Sequence, residues 1–243
     1  MNREEYLTMF RLEERHWYFR GKRRLVADLL ATYSSGDCGR VLDAGCGTGG
    51  NLEMLSRFGR VFGLEPFRDA AGFSAGRGGA SVVRGAAQEL PFADGVFDLV
   101  TSLDVIEHIE DDVGALRELW RALRPGGVVL LTVPAFMFLW SGHDDALHHK
   151  RRYRRDELRQ KLAMAGFSVQ KCSYFNFFVF PVVALLRLAR RRNGEAAAAD
   201  TAGLPLAPIN RFMYGIARLE SWLTGMIDLP FGVSMVCVAK KKV

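Results

Sequence analysis

The chain has 243 residues, a net charge of +6, and a composition that is 49% hydrophobic and 25% charged. This is ordinary globular material, long enough to bury one sizeable core, and it excludes collagen-like, low-complexity and disulfide-scaffold classes. The first twenty residues are charged and aromatic without an apolar run, so no signal peptide is expected. The four cysteines (Cys38, Cys46, Cys172 and Cys237) are scattered with no C-x-x-C pair. Neither zinc nor a disulfide framework is therefore expected, and a reducing cytoplasm is the simple setting.

The charge is unevenly spread. Residues 41–147 hold 8 Lys/Arg against 15 Asp/Glu, a net of −7, so the remainder carries +13. The basic excess lies in Arg20 to Arg24, Lys150 to Lys161, Arg187 to Arg192 and Lys240 to Lys242. Charge alone is compatible with nucleic acid, but no RNA-binding motif or helix-turn-helix accompanies it, so no nucleic-acid partner is expected. An anionic membrane surface or an acidic substrate group fits equally well.

In chain order, residues 4–32 read as one or two helices, with Leu7, Phe10, Leu12, Trp17, Phe19, Leu25, Val26, Leu29 and Leu30 on the apolar faces. A turn at Ser34 to Asp37 leads to a first strand, Arg40 to Asp43, and then a helix running to about Phe58. A second strand at Val61 to Leu64 precedes a glycine-interrupted helix over Phe67 to Gly79, and short strands follow at Ser81 to Arg84 and Phe97 to Ser102. An amphipathic helix over Val113 to Leu123 stops at Arg124-Pro125-Gly126-Gly127, ahead of a β-branched fifth strand, Val128 to Val133. Arg155 to Gly166 reads as a helix, Phe167 to Cys172 as strand six and Val233 to Ala239 as strand seven. Strands alternating with helices imply parallel βαβ units in a doubly wound, Rossmann-like sheet.

The division expected is an N-terminal helical cap over 1–37, a core over 38–173 and 230–243, and a hydrophobic helical insertion over 174–229. In the insertion, Tyr174 to Ala189 is almost wholly apolar but shorter than the roughly 20 residues a membrane span needs. Asn193 to Pro205 reads as a mobile Ala/Gly-rich connection. Ile209 to Ile227 returns to helical spacing, with Phe212, Ile216, Leu219 and Leu223 on one face, against which the apolar stretch is expected to bury.

The densest chemical signal is Val41-Leu42-Asp43-Ala44-Gly45-Cys46-Gly47-Thr48-Gly49-Gly50. Alternating glycines after a strand allow a sharp turn and let a ligand lie against main-chain N–H groups. Gly45, Gly47 and Gly50 satisfy the dinucleotide pattern G-x-G-x-x-G, whereas Asp43, Gly45, Gly47 and Gly49 satisfy acid-x-G-x-G-x-G. A carboxylate at Asp43 repels a pyrophosphate and suits a cationic ligand. Three readings stay in play: a methyltransferase, a non-catalytic protein binding the same cofactor, and an NAD-binding oxidoreductase.

Four further signals follow: Glu65 closing strand two, Ala86-Ala87-Gln88-Glu89-Leu90 after strand three, Leu103-Asp104-Val105-Ile106-Glu107-His108 after strand four, and Leu123-Arg124-Pro125-Gly126-Gly127. In this order the chain resembles the class I S-adenosylmethionine-dependent methyltransferases, in the ubiquinone/menaquinone-type group, strongly over about residues 38–135 and more loosely beyond. The resemblance implies a seven-stranded sheet with strand seven antiparallel and S-adenosylmethionine as cofactor. It implies that Asp43 with the Gly45, Cys46, Gly47 and Gly49 backbone holds the methionine part, that Glu65 binds the ribose, that Ala87 and Gln88 border the adenine, and that Leu103 and Asp104 face the methyl-transfer region. An N-terminal helix often covers the cofactor in this fold, so Arg20 is a candidate for the methionine carboxylate.

The segment Trp140-Ser141-Gly142-His143-Asp144-Asp145-Ala146-Leu147-His148-His149-Lys150-Arg151-Arg152-Tyr153 follows strand five on the carboxyl side, where open α/β sheets bind ligands. It resembles a substrate loop, H-D-x-x-L-x-H-x-R-R-Y, of some bacterial members. His143, His149 and Tyr153 are the general-base candidates; Trp140, Asp144, Arg151 and Arg152 are the acceptor-binding candidates. The alternative is a loop-stabilising network in which Asp144 or Asp145 pairs with Arg151 or Arg152. The spacing matches no metal signature, and no metal is expected. The acceptor expected is small or lipid-like, methylated at oxygen or carbon ahead of nitrogen, with membrane-surface contact through 174–192.

Overall fold

The computed structural model describes residues 3–34, 38–193 and 203–242. Seven strands, β1 (Arg40–Ala44), β2 (Arg60–Leu64), β3 (Ser81–Val83), β4 (Phe97–Leu103), β5 (Leu123–Pro134), β6 (Phe167–Phe175) and β7 (Ser234–Lys241), form one sheet in the order β3-β2-β1-β4-β5-β7-β6. β7 runs antiparallel between β5 and β6, and the other pairs are parallel. Helices cover both faces, which is why the central strands read as unbroken apolar runs rather than as alternation. Successive residues still point to opposite faces. Val41 joins the cluster of Leu25, Val26, Leu29 and Leu30, while Leu42 joins that of Leu116, Leu119, Leu158 and Leu162.

The helices are α1 (Arg3–Leu12), α2 (Trp17–Tyr33), α3 (Leu52–Leu55), α4 (Arg68–Gly76), α5 (Asp112–Ala122), α6 (Gly142–Ala146), α7 (Arg155–Met164), α8 (Phe180–Asn193) and α9 (Ala207–Met226). α5 starts where the Asp111 carboxylate accepts the Gly114 amide at 2.8 Å, an N-cap that satisfies an otherwise orphaned donor. The helix expected to reach Phe58 is the single turn α3, because the chain tightens through Phe58 N–H donating to Leu55 O before β2 begins. β6 runs three residues past the expected Cys172, because β7 pairs with it as far as Phe175. The Ser35 to Asp37 part of the expected turn, residues 194–202 of the Ala/Gly-rich connection, and the side chains of Arg190, Arg191 and Arg192 lie outside the described residues.

The insertion departs most from expectation. α9 lies along α2, where a Cβ at Gly21 would stand 2.6 Å from the Ala217 Cβ, so glycine is what lets the two helices close. The buried residues of α9 are Glu220, Ser221 and Thr224, not the apolar stripe: Phe212 is 68% exposed and Leu219 49%. Glu220 is drawn inward because its carboxylate accepts the amides of Asn176, Phe177 and Phe178, and Ser221 Oγ donates to Asp28 at 2.8 Å. α8 likewise keeps Val182, Leu185 and Leu186 exposed. Among the described residues no helix is long and apolar enough to cross a membrane.

Candidate functional site

The strand order reverses between β1 and β4, and doubly wound sheets take ligands at the carboxyl ends of the strands beside such a reversal. The glycine loop follows β1 at that end. Gly45 and Cys46 N–H groups donate to Leu64 O at 2.8 and 2.9 Å, which pins the turn to β2. Gly45 sits at φ +84°, and a Cβ there would meet Val105 Cγ2 at 2.4 Å. Gly49 repeats the case, at φ +84° with Ser74 Oγ 2.6 Å from the missing Cβ. Only glycine adopts this backbone without strain. Gly45→Ala is therefore expected to weaken S-adenosylmethionine binding by ~10-fold or more in calorimetry, since left-handed strain of about 1–3 kcal/mol adds to the overlap with Val105.

Asp43, at the end of β1, is 1% exposed. Its Oδ1 accepts from Thr101 Oγ1 at 2.7 Å, while Oδ2 has no hydrogen-bond partner. Burial raises its carboxyl to about 6, against the lowering by the Thr101 hydroxyl. A buried carboxylate with one oxygen left over is costly unless a donor or cation meets it. The residues present thus fit a cationic cofactor: an orphaned acidic oxygen beside glycines whose turn leaves no room for side chains. Glu65 is buried at the end of β2 and accepts the amides of Gly47 at 3.0 Å and Phe67 at 3.1 Å. Burial raises its carboxyl despite those two amides. Ala87 is buried and Gln88 exposed on the loop after β3. Cys46 is buried against Ser74 Oγ at 3.3 Å, and burial pushes its thiol up to about 12, so it packs as an inert thiol.

The N-terminal helices clamp this loop through residues the sequence did not single out. Thr48 Oγ1 donates to the buried Glu13 carboxylate at 2.7 Å; Glu13 also pairs with Arg77, whose Nε donates to Thr48 O at 2.8 Å. Arg23 donates to Gly50 O at 3.0 Å and to Glu13 O at 2.6 Å. Past β4, Asp104 adopts φ +57° and binds Lys22 Nζ at 2.6 Å and Thr132 Oγ1 at 2.9 Å. Burial works against the charge on Asp104, but Lys22 outweighs it and holds the carboxyl below its usual range. Leu103 is buried beside it. Arg20, expected near the cofactor carboxylate, stacks over Tyr214 with 4.0 Å to the ring centroid. The α2–α9 contact captures it.

The histidine- and arginine-rich segment is largely a structural network, as the alternative reading expected. Asp144 is fully buried and accepts from Arg152 Nε at 2.7 Å, Arg152 Nη2 at 3.0 Å and the Ser141 amide at 2.9 Å. Arg187 of α8 stands 3.9 Å from Asp144 and donates to Leu139 O at 2.6 Å, docking α8 on this loop. Asp144 and Arg152 thus hold each other rather than an acceptor. Arg151 is likewise engaged, by Asp112 at 3.2 Å and by Glu110 O at 2.8 Å. Tyr153 is not a base: its ring is fully buried and its hydroxyl donates to Asp112 at 2.8 Å, so burial and that carboxylate raise its pKa far from neutrality. Trp140 Nε1 donates to Asp145 at 3.0 Å. His143, on α6, is half-buried. His149 keeps its Nδ1 on Asp144 Oδ1 at 2.9 Å and its ring 4.7 Å from that of His108.

Residues 42–131 match the family described as Methyltransferase domain. A probable S-adenosylmethionine-dependent methyltransferase of Mycolicibacterium smegmatis is 33% identical over 187 residues, covering 75% of this chain and 70% of that protein. An uncharacterized methyltransferase of Mycobacterium sp. (strain KMS) is 35% identical over 129 residues, and there the match spans 51% of each chain. Among solved structures, the protein in complex with the Haloferax volcanii Trm112 methyltransferase activator overlays with a TM-score of 0.63 at 21% identity, over 96% of this chain and 92% of that one. The overlay gives the fold, and the unpartnered Asp43 oxygen beside the glycine turn is an acidic group of the kind a cationic ligand would meet. The Mycolicibacterium relative shares that lineage across most of both chains: this protein belongs to the S-adenosylmethionine-dependent methyltransferases.

Proposed function

We propose that the chain methylates a small-molecule or lipid-like acceptor, at an oxygen or carbon nucleophile, at the carboxyl ends of β5 and β6. The observation carrying this reading is an aromatic cluster beside the acceptor loop. Phe136 stacks on Tyr174 at 4.9 Å and meets Phe180 at 6.0 Å, and Phe231 bridges Phe177 and Phe180 at 4.6 and 5.1 Å. On the opposite face of α8, Val182, Leu185 and Leu186 form an exposed apolar stripe at helical spacing. Isolated exposed apolar residues need no explanation, but a contiguous patch marks a ligand, partner or membrane contact. On α9, Ile209, Phe212, Trp222 and Met226 are exposed, flanked by exposed Arg211 and Arg218. Apolar and basic residues together suit an anionic bilayer interface.

Bound S-adenosylmethionine supplies an electrophilic methyl on a sulfonium. This chain's part is to hold Asp43 against that cation, to keep water out with α1 and α2, and to align the acceptor. Any proton the acceptor loses is handled at His149 and its neighbours His108 and Glu107, since Tyr153 is locked in the core. His143 lies on the same loop and is the second candidate.

Methyl release should be measured over a panel of quinol, polyketide, sugar and lipid acceptors, beside flotation with anionic liposomes. Wild-type protein is expected to float and to turn over an apolar acceptor. Leu185→Glu with Trp222→Glu should abolish flotation and lower turnover several-fold while leaving S-adenosylmethionine affinity unchanged. Turnover confined to a hydrophilic sugar, with no flotation, would sink the lipid-like reading. Point charges serve better than deletion of 174–229, because α9 carries the Glu220 cap and the Ser221 bond to α2.

A further inference from the structure

The sequence carries no metal signature, yet the fold brings one donor set together. We propose that Glu107, His108 and His149 form a binding site for one divalent first-row transition-metal ion, with its remaining coordination positions left for water or an acceptor oxygen. Glu107 and His108 come from the tight turn Ile106–His108 after β4, and His149 from the loop after α6. The Lys150 amide donates to Glu107 O at 2.7 Å and fastens that loop to the turn. One donor atom from each of the three side chains lies within 4.8 Å of the others.

Two features distinguish this cluster from a chance meeting of polar groups. First, Glu107 is 0% exposed, and no hydrogen bond from another residue reaches either carboxylate oxygen. Buried acidic groups are normally paired or bound to metal. The nearby cations are committed elsewhere: Lys22 to Asp104 at 2.6 Å, and Arg152 to Asp144 at 2.7 Å. Second, the His149 imidazole is oriented through one nitrogen: its Nδ1 is held by Asp144 Oδ1 at 2.9 Å. That is the outer-shell arrangement by which metal-binding histidines fix their tautomer and aim the other nitrogen.

Two imidazoles and a carboxylate suit manganese, iron, cobalt or zinc rather than calcium or magnesium, and three protein ligands leave positions open. An ion there would replace these side chains as the proton acceptor, holding an acceptor oxygen and lowering its proton affinity; that role rests on the proposed methyl-transfer reading, whereas ion binding does not.

The test is titration of the chelator-treated full chain with cobalt(II), followed by visible absorption and thermal unfolding. One equivalent is expected to saturate the absorption change and to raise Tm by ~5 °C or more at about a hundredfold excess over Kd. Glu107→Gln and His149→Gln should each weaken cobalt binding by at least ~10-fold and abolish the Tm shift, while S-adenosylmethionine affinity by calorimetry is kept. Magnesium in place of cobalt should give no shift. No saturable cobalt binding by the wild type, or unchanged binding by Glu107→Gln, would overturn the site. So would loss of cobalt and S-adenosylmethionine binding together in the variants, which would assign these side chains to the fold. A methylation assay that fails while cobalt binding holds would overturn the methyl-transfer reading instead.

Discussion

Replacing Asp43 by asparagine is expected to cut S-adenosylmethionine affinity by ~10- to 100-fold while leaving the unliganded protein at least as stable as wild type at neutral pH. The opposed signs follow from one fact, that Asp43 is buried with Oδ2 unpartnered. Its folded-state carboxyl titrates at about 6, raised from 3.8 by burial. Between those values the folded state binds a proton that the unfolded chain has released. Its contribution to stability is therefore fully present below the unfolded value and is lost as pH rises through about 6, at a cost on the order of 3 kcal/mol at neutral pH. Asparagine removes that cost but offers no charge to a cationic ligand, where a charge-assisted hydrogen bond contributes about 1.5–3 kcal/mol. A bound cation lowers the carboxyl again, so binding should release a proton and affinity should fall as pH drops below about 6. Calorimetry in buffers of different ionisation enthalpy reads that proton, and chemical denaturation reads the stability. Full affinity in Asp43→Asn would remove this carboxylate from the cofactor site.

Asp144→Ala is expected to destabilise the fold by about 3–5 kcal/mol, the cost of stranding a buried charge. The Asp144 and Arg152 side chains are 0% and 2% exposed, so water cannot take the missing partner's place. Arg187, 3.9 Å away, loses compensation too. At about 2–4 °C per kcal/mol for a chain of this size, Tm should fall by roughly 10 °C. Asp144→Ala with Arg152→Met should fall less than Asp144→Ala alone, because the unpaired guanidinium is then gone. Burial opposes the charge on Asp144, but His149 and Arg152 outweigh it and hold its carboxyl well below the usual range. The sign is opposite to that of Asp43: this stability is present above the unfolded value of 3.8 and is lost as pH falls through the folded one. Denaturation midpoints at neutral and strongly acidic pH check it. A single variant no less stable than the double one would mean that water or another side chain takes over the guanidinium.

The two carboxylates differ in how far local sequence announces them. The setting of Asp43 was legible because it lies within ten residues: an apolar strand before it, glycines after it, and left-handed backbone at Gly45 and Gly49 that side chains rarely adopt; its bond from Thr101, 58 positions away, was not. Glu65 and the β1–β2 pairing follow from the same short-range grammar. Asp144 sits among equally suggestive neighbours, yet its role depends on where Arg152 and Arg187 fold to. His143 to Tyr153 therefore carried several acid–base readings at once. The fold separated them, sending Tyr153 into the core against Asp112 and leaving His149 facing His108.

What the sequence by itself determined was the parallel part of the sheet and the left-handed glycine turn behind an acidic strand end, since strand burial, turn geometry and φ > 0 at glycine are properties of adjacent residues. Only the tertiary structure decided the Lys22–Asp104 pair across 82 positions, the Glu13–Thr48–Arg77 clamp, the outward turn of Phe212 and Leu219 on α9 while Ile216 and Leu223 stay half-buried, and the meeting of Glu107 with two histidines. The physical reason is that a charge or helix face takes the best partner available anywhere in the folded chain. Glu220 chose the amides after β6 over solvent, and in doing so rotated Phe212 and Leu219 outward.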